Sequence, residues 1–207
     1  MSAESAVRGR GRPREFEVDD VVDSLVDLFW SQGYEATSMS DIVEATGLNK
    51  SSLYNSFGSK EELFEAAVTR YVEMRQSMLQ GVLRDGDAGI EDITMFLEFV
   101  EQELAGEFGS RGCLAVNTTT ELGGRDDSVI TMSAGYRNEI RTSLRAALHR
   151  SAAAGEIDVN SISHYAEMML AFLMSLSVMA RGGASSDEIK GQLTAIRALI
   201  ESWRIDR

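Results

Sequence analysis

Between Lys50 and Asn55 the chain gathers the side chains best suited to polar recognition: Lys50, Ser51, Ser52, Tyr54 and Asn55. A lysine there can neutralise a phosphate, hydroxyls can donate to phosphate oxygens, and an asparagine can pair with adenine through two hydrogen bonds. Leu53 and Phe57 are four apart, so a helix over 50–57 would turn both inward and leave the polar set outside. Reactive residue types are scarce elsewhere. Cys113 is the one cysteine, and His149 and His164 stand alone. No Cys/His spacing suggests a metal site, and a nucleophile–base pair is hard to assemble. There is no phosphate-binding Gly-Lys-Ser/Thr loop, zinc-protease motif or nucleophile elbow. The expectation is a binding protein, not an enzyme, with no cofactor and no metal.

The polar set has to be held by its neighbours. Ser38 followed by Asp41 is a capping box and predicts a helix from Met39, with Ile42, Val43 and Ala45 on its apolar side. Gly47 fits a left-handed stop. Asn49 is a good N-cap for the second helix. A short helix, a glycine turn and a second helix with a polar face form the helix-turn-helix pattern, whose second helix enters the major groove of DNA. A preceding helix over 19–32 carries Val21, Leu25, Leu28 and Phe29 on one stripe and ends at Gly33. Thr37 and Ser38, at the start of the next helix, are candidates to meet a phosphate.

Gly33-Tyr34-Glu35-Ala36-Thr37-Ser38-Met39, Asp41-Ile42-Val43, Ala45-Thr46-Gly47-Leu48, Ser51, Leu53-Tyr54, Phe57 and Ser59-Lys60-Glu61-Glu62-Leu63 closely resemble the signature of the TetR family of bacterial transcriptional regulators. The detailed resemblance covers about residues 17–65. It implies a three-helix DNA-binding head over 15–60, and a helical ligand-binding and dimerisation body over 61–207. Tyr54 would reach the DNA backbone, and Lys60 would contact a phosphate. Asn55 stands where many relatives have histidine, which changes the expected base preference. The helix after Lys60 would link head to body and transmit the ligand signal.

Charge fits that division. The chain carries a formal net charge of −13, so it is no general nucleic-acid coat, and positive charge must be local. Residues 1–14 hold Arg8, Arg10, Arg12 and Arg14 against Glu4 alone. This flexible arm suits a narrow minor groove, with Arg10, Arg12 and Arg14 as candidate contacts. The acidic remainder would repel DNA and orient the head towards it.

After Pro13 there is no proline, which favours long helices. Ser59 with Glu62 starts one over 60–82, and others are expected over 90–104, 111–122, 127–153 and 161–181. A last one follows the capping box of Ser185 and Glu188. The expected fold is all-α, about nine helices, with helix 127–153 turning Ile130, Met132, Tyr136, Ile140, Leu144 and Leu148 inward. The helix over 161–181 is apolar nearly all round, and the last carries Ile189, Leu193, Ile196, Ile200 and Trp203 at alternating spacings of four and three. Such helices suggest a four-helix interface between two identical chains, built from Met168, Phe172, Leu176, Met179 and the five residues of the last helix.

Within 111–122, apolar and small polar residues mix. It resembles a subset of the family with Gly-Cys-Leu at this point. A small apolar or amphipathic effector would be held by Cys113, Asn117, Thr118 and Glu121, with Met74, Tyr136, Met169 and Phe172 as further lining. The alternative is that Cys113 itself senses redox state or electrophiles, which would need a lowered thiol pKa. The most apolar stretch, 166–180, is shorter than the ~20 residues a membrane span needs. With no run of signal-peptide length, the expected location is the cytoplasm. The expected partners are double-stranded operator DNA, a second copy of the chain and a small-molecule effector, with no membrane.

Overall fold

The computed structural model describes residues 17–205. Among them are nine α-helices and no strand: α1 Val18–Gln32, α2 Met39–Thr46, α3 Lys50–Ser56, α4 Lys60–Leu79, α5 Ile90–Ala105, α6 Leu114–Leu122, α7 Asp127–Ala153, α8 Ile162–Arg181 and α9 Ser186–Glu201. The fold is all-α, with an N-terminal helix-turn-helix head followed by a helical body.

The helix starts follow their caps. Ser38 accepts from the backbone N–H of Asp41 while Asp41 accepts from that of Ser38, and the same reciprocal pairs form at Ser59/Glu62 and Ser185/Glu188. The backbone N–H of each serine holds the paired carboxyl below the ordinary carboxylate range. These caps therefore strengthen the helix starts above the ordinary carboxyl pKa and lose that contribution as pH falls through the lowered one. Gly47 takes φ 67°, left-handed, where any other L-residue would be strained.

In the head, α1 lies across α2 and against the start of α4, with Leu25, Phe29, Ile42, Leu53 and Leu63 fully buried. The link to the body is continuous, because α4 carries Ala67, Val68 and Tyr71 into the same core. At its far end α4 widens into a π-helical segment, Gln80–Arg84. Regular helix was expected to run on to Val82, but a wider turn exposes the carbonyls of Leu83 and Arg84, and the Arg150 guanidinium takes both, at 2.6 and 3.0 Å. Arg150 also pairs with Asp92 at 2.8 Å, a carboxylate only 1% exposed.

Two expectations change. Ile130 is exposed and Val129 and Ser133 are buried instead, because the inward face of α7 is rotated by one residue at its start. The segment Val159–Arg181 is, at 23 residues, long and apolar enough to cross a membrane by length and composition, where a shorter stretch was expected. In the structure α8 packs one side against α6, α7 and α9, and a third of its apolar window is buried.

Asp92→Ala should cost about 3 kcal/mol in urea unfolding, because it strands the half-buried Arg150 charge. Unchanged stability would mean that the Arg150–carbonyl bonds alone hold the far end of α4.

Candidate nucleic-acid interface and effector cavity

The recognition face follows from how α3 is seated. Leu53 is fully buried and Phe57 half-buried, so Lys50, Ser51, Tyr54 and Asn55 face solvent, Tyr54 half exposed. Ser52 is partly covered. Asn49 accepts from the Ser52 backbone N–H at 2.9 Å and from the Ser51 hydroxyl at 2.6 Å. The cap thus orients one of the candidate groove residues. Lys60, at the start of α4, holds its ammonium 4.3 Å from the Tyr34 ring centroid, a cation–π contact that keeps the charge beside α1 and α2.

Two candidates at the start of α2 have other work. Thr37 is 1% exposed, and its hydroxyl donates to the Gly33 carbonyl at 2.6 Å. It closes the turn after α1, with its hydroxyl committed within the chain. Ser38 is exposed but commits its oxygen to the backbone N–H groups of Ser40 and Asp41. Arg10, Arg12 and Arg14 lie outside the described residues.

A cavity of about 350 Å³ opens in the body. Its walls are mostly apolar, from Phe96, Leu104, Phe108, Ile140, Leu173 and Met174. One end is polar. Arg75 donates to both Glu103 oxygens, at 2.5 and 2.7 Å, so the two charges offset each other. Cys113 Sγ lies 3.4 Å from the Tyr136 hydroxyl. The Tyr71 hydroxyl nearby is buried without a partner. Burial pushes both phenols well above their ordinary pKa, with the Cys113 sulfur adding to the rise, so both are neutral donors at neutral pH. The floor belongs partly to the head, since Trp30 of α1 lines the cavity. Its indole N–H donates to the Gly112 carbonyl at 3.1 Å. Gly112 has φ 66°, and a Cβ there would sit 2.6 Å from the Ser177 carbonyl oxygen, so only glycine lets this loop approach α8.

Of the expected lining residues, Cys113 and Tyr136 are in this cavity. Met74 is exposed on the outside of α4, Met169 is fully buried in the core, and Phe172 is half-buried outside the lining. Asn117 donates its amide to the Arg111 carbonyl at 2.8 Å, and Thr118 faces a different cleft. Glu121 has a structural role that no local spacing announces. Its carboxylate accepts the backbone N–H of Tyr34 at 3.1 Å and of Glu35 at 2.8 Å, tying α6 to the turn after α1. Trp30, Arg75 and Glu103 were missed, although an arginine on the inward side of α4 is a signal that asks for a buried partner.

The proposed dimer residues divide. Ile189, Leu193, Ile196 and Ile200 of α9, and Trp203 in the turn after it, are buried within their own chain, α9 against α5 and α8, with Trp203 stacked on Tyr165 at 4.0 Å. Leu176 is buried too. Met168 is exposed, and Phe172 and Met179 are half-buried. The seam of α9 is therefore an internal packing face.

An exposed, capped recognition helix on a three-helix head, joined to a body with its own cavity, defines a helix-turn-helix DNA-binding regulator. The comparisons agree. The model of the bacterial regulatory proteins of the tetR family matches residues 21–67. The transcriptional repressor ComR of Escherichia coli K12 is 31% identical, over 91% of this chain and 90% of its own. The chain belongs to the TetR family, a family of transcriptional regulators and not of enzymes. Among solved structures, a cysteine mutant of the regulator CifR complexed with 26-bp double-strand operator DNA aligns over 93% of this chain and 100% of its own, at 27% identity and TM-score 0.79. A regulator from Chloroflexus aurantiacus aligns over 91% and 96%, at 25% identity and TM-score 0.80.

Glu121→Ala should speed amide exchange at Tyr34 and Glu35 and cost about 1–2 kcal/mol, the worth of two hydrogen bonds to a partly exposed carboxylate. Exchange at those two amides as slow as in the parent would show that the joint is held elsewhere.

Proposed function

We propose that the chain is a cytoplasmic repressor that binds a palindromic operator as a homodimer and is released by a small effector in the cavity beneath Trp30. Residues 1–14 serve as a basic arm, 15–60 as the DNA-binding head and 61–207 as the ligand-binding and dimerisation body. The observation that carries this reading is the shared lining of the cavity, which takes Trp30 from the head and Arg75, Phe96, Tyr136 and Leu173 from the body. A molecule there must touch both parts and can favour one arrangement of them over another. Release requires that the effector prefer the arrangement that does not fit DNA, and operator DNA then weakens the effector by the same factor.

The cavity's chemistry suits an apolar or amphipathic effector. Arg75 is neutralised by Glu103, which leaves the neutral Tyr136 hydroxyl as the uncharged polar group of that end. A carbonyl or ether oxygen could accept from it.

Dimerisation is assigned to the outward side of α8, where Met168 and Val178 are 42% and 51% exposed beside Phe172 and Met179. The outward residues of α9, among them Thr194, Ala195 and Ala198, are small or short and would admit close approach by a second copy. Two heads on one palindrome supply affinity that one short α3 lacks.

A second reading has a specific observation behind it: Cys113 lines the cavity with its sulfur against the Tyr136 hydroxyl. In that reading the effector is an oxidant or electrophile that modifies the thiol. Cys113→Ser should then keep operator binding and lose the response to such agents, whereas a retained response returns the mechanism to reversible occupancy.

Selection of bound sequences from random DNA, repeated with candidate effectors, tests the main reading. A palindromic consensus lost on effector addition is expected. Recovery of no consensus from the full-length protein would defeat it. Lys60→Ala should weaken binding to all DNA and flatten the slope of log affinity against log salt by about 0.9 per copy. Asn55→Ala should leave that slope unchanged and alter the preferred sequence.

A further inference from the structure

A second cleft, about 400 Å³, lies between the start of α4 and the corner where α6 meets α7. Neither DNA recognition nor the effector cavity uses it. Its floor is apolar, from Phe64, Val68 and Val129, all buried. Its rim is acidic, from Glu61, Glu62 and Glu65 on α4 and Asp126 at the start of α7, and no lysine or arginine lines it. Two of these carboxylates already cap helices: Glu62 accepts from the Ser59 backbone N–H and Asp126 from that of Ser128. Glu61 and Glu65 do not, and neither forms an ion pair among the described residues. They stand four apart on one helix, where like charges repel and a shared cation is favoured.

The second observation comes from the opposite wall. Thr118 is 2% exposed, lines the cleft, and its hydroxyl has no hydrogen-bond partner. An unpartnered buried hydroxyl is a free-energy cost that a ligand can remove. The site therefore combines uncommitted negative charge, an apolar floor and one unsatisfied polar atom.

We propose that this cleft binds a small organic cation with an apolar body. An ammonium group would sit between Glu61, Glu65 and Asp126 and reach the Thr118 oxygen, while its hydrocarbon part covers Phe64 and Val129. The bound cation would bridge α4 to α6 and α7, the elements that join head and body. The test does not depend on the operator reading.

Full-length protein is titrated calorimetrically with phenethylammonium, and in parallel with the neutral phenethyl alcohol, at low and high salt. Saturable binding of the ammonium at one site per chain is expected, with the alcohol and the high-salt titration much weaker. The double variant Glu61→Gln/Glu65→Gln should bind roughly tenfold more weakly, a loss of one factor of ten in affinity. Thr118→Val, nearly the same shape, should bind severalfold more weakly. Circular dichroism confirms that each variant is folded. Equal affinity for the alcohol, no saturation, or affinity unchanged in the double variant each overturns the proposal.

Discussion

The arrangement of this protein depends on how the end of one helix, α1, is fixed to the body. A helix C-terminus presents carbonyls without intrahelical donors and a partial negative charge, and the turn that follows presents free N–H groups. Arg181 meets the first need, donating to the carbonyls of Trp30 and Ser31 at 3.1 Å each. Glu121 meets the second through Tyr34 and Glu35. Between them the Trp30 indole is pinned to Gly112. A cation from α8, an anion from α6 and a loop carbonyl thus close on one turn of backbone. The orientation of α2 and α3, packed on α1, is inherited from this joint.

Charge is distributed around the joint against the trend of the sequence. From Glu17 to Lys60 the head has eight carboxylates and only two lysines, so its described part is acidic. The acidic body supplies the missing cations at the seam: Arg70 pairs with Asp23, Arg111 with Asp27 and Arg125 with Glu35. These pairs are largely exposed, so each adds little to stability and is weakened by salt. They fix approach more than stability. They also leave Lys50 and Lys60 as the head's own lysines for DNA, which throws much of the electrostatic work onto the arginines of residues 8–14 under the proposed reading.

The local grammar of the chain was legible, and the partners of its faces were not. Serine three residues before an acidic side chain placed three helix starts, and Gly47 placed the turn, because caps and turns are decided by neighbours in sequence. The alternating seam of α9 showed that one face is apolar, but periodicity cannot say whether α5 and α8 of the same chain or a second subunit covers it. Asn117 and Glu121 looked like effector ligands because polar residues on an apolar helix ask for polar partners. Those partners proved to be backbone groups, which the sequence never displays. Arg75 and Glu103 are far apart in sequence and meet across α4 and α5 under no spacing rule.

The two ends of α4 are held very differently, and the proposed release mechanism follows from that asymmetry. At the far end Arg150 grips the carbonyls of Leu83 and Arg84 and the buried Asp92, a compact charge-assisted cluster that is costly to break. At the near end the head packs on α4 through apolar contacts such as Phe29 on Phe64 and Trp30 on Tyr71, and beside these it has only exposed ion pairs and the few hydrogen bonds of the joint. Twenty residues of helix span about 30 Å between them. Arg75 and Met78 meet the cavity towards the fixed end, so under the proposed function a small displacement there would be enlarged at the recognition helix. Trp30 adds a shorter route, because a ligand that moves the indole off Gly112 loosens the joint itself. Under the proposed function, an occupant that does both would change the spacing of two heads without unfolding either, which is the difference between arrangements that release from DNA requires.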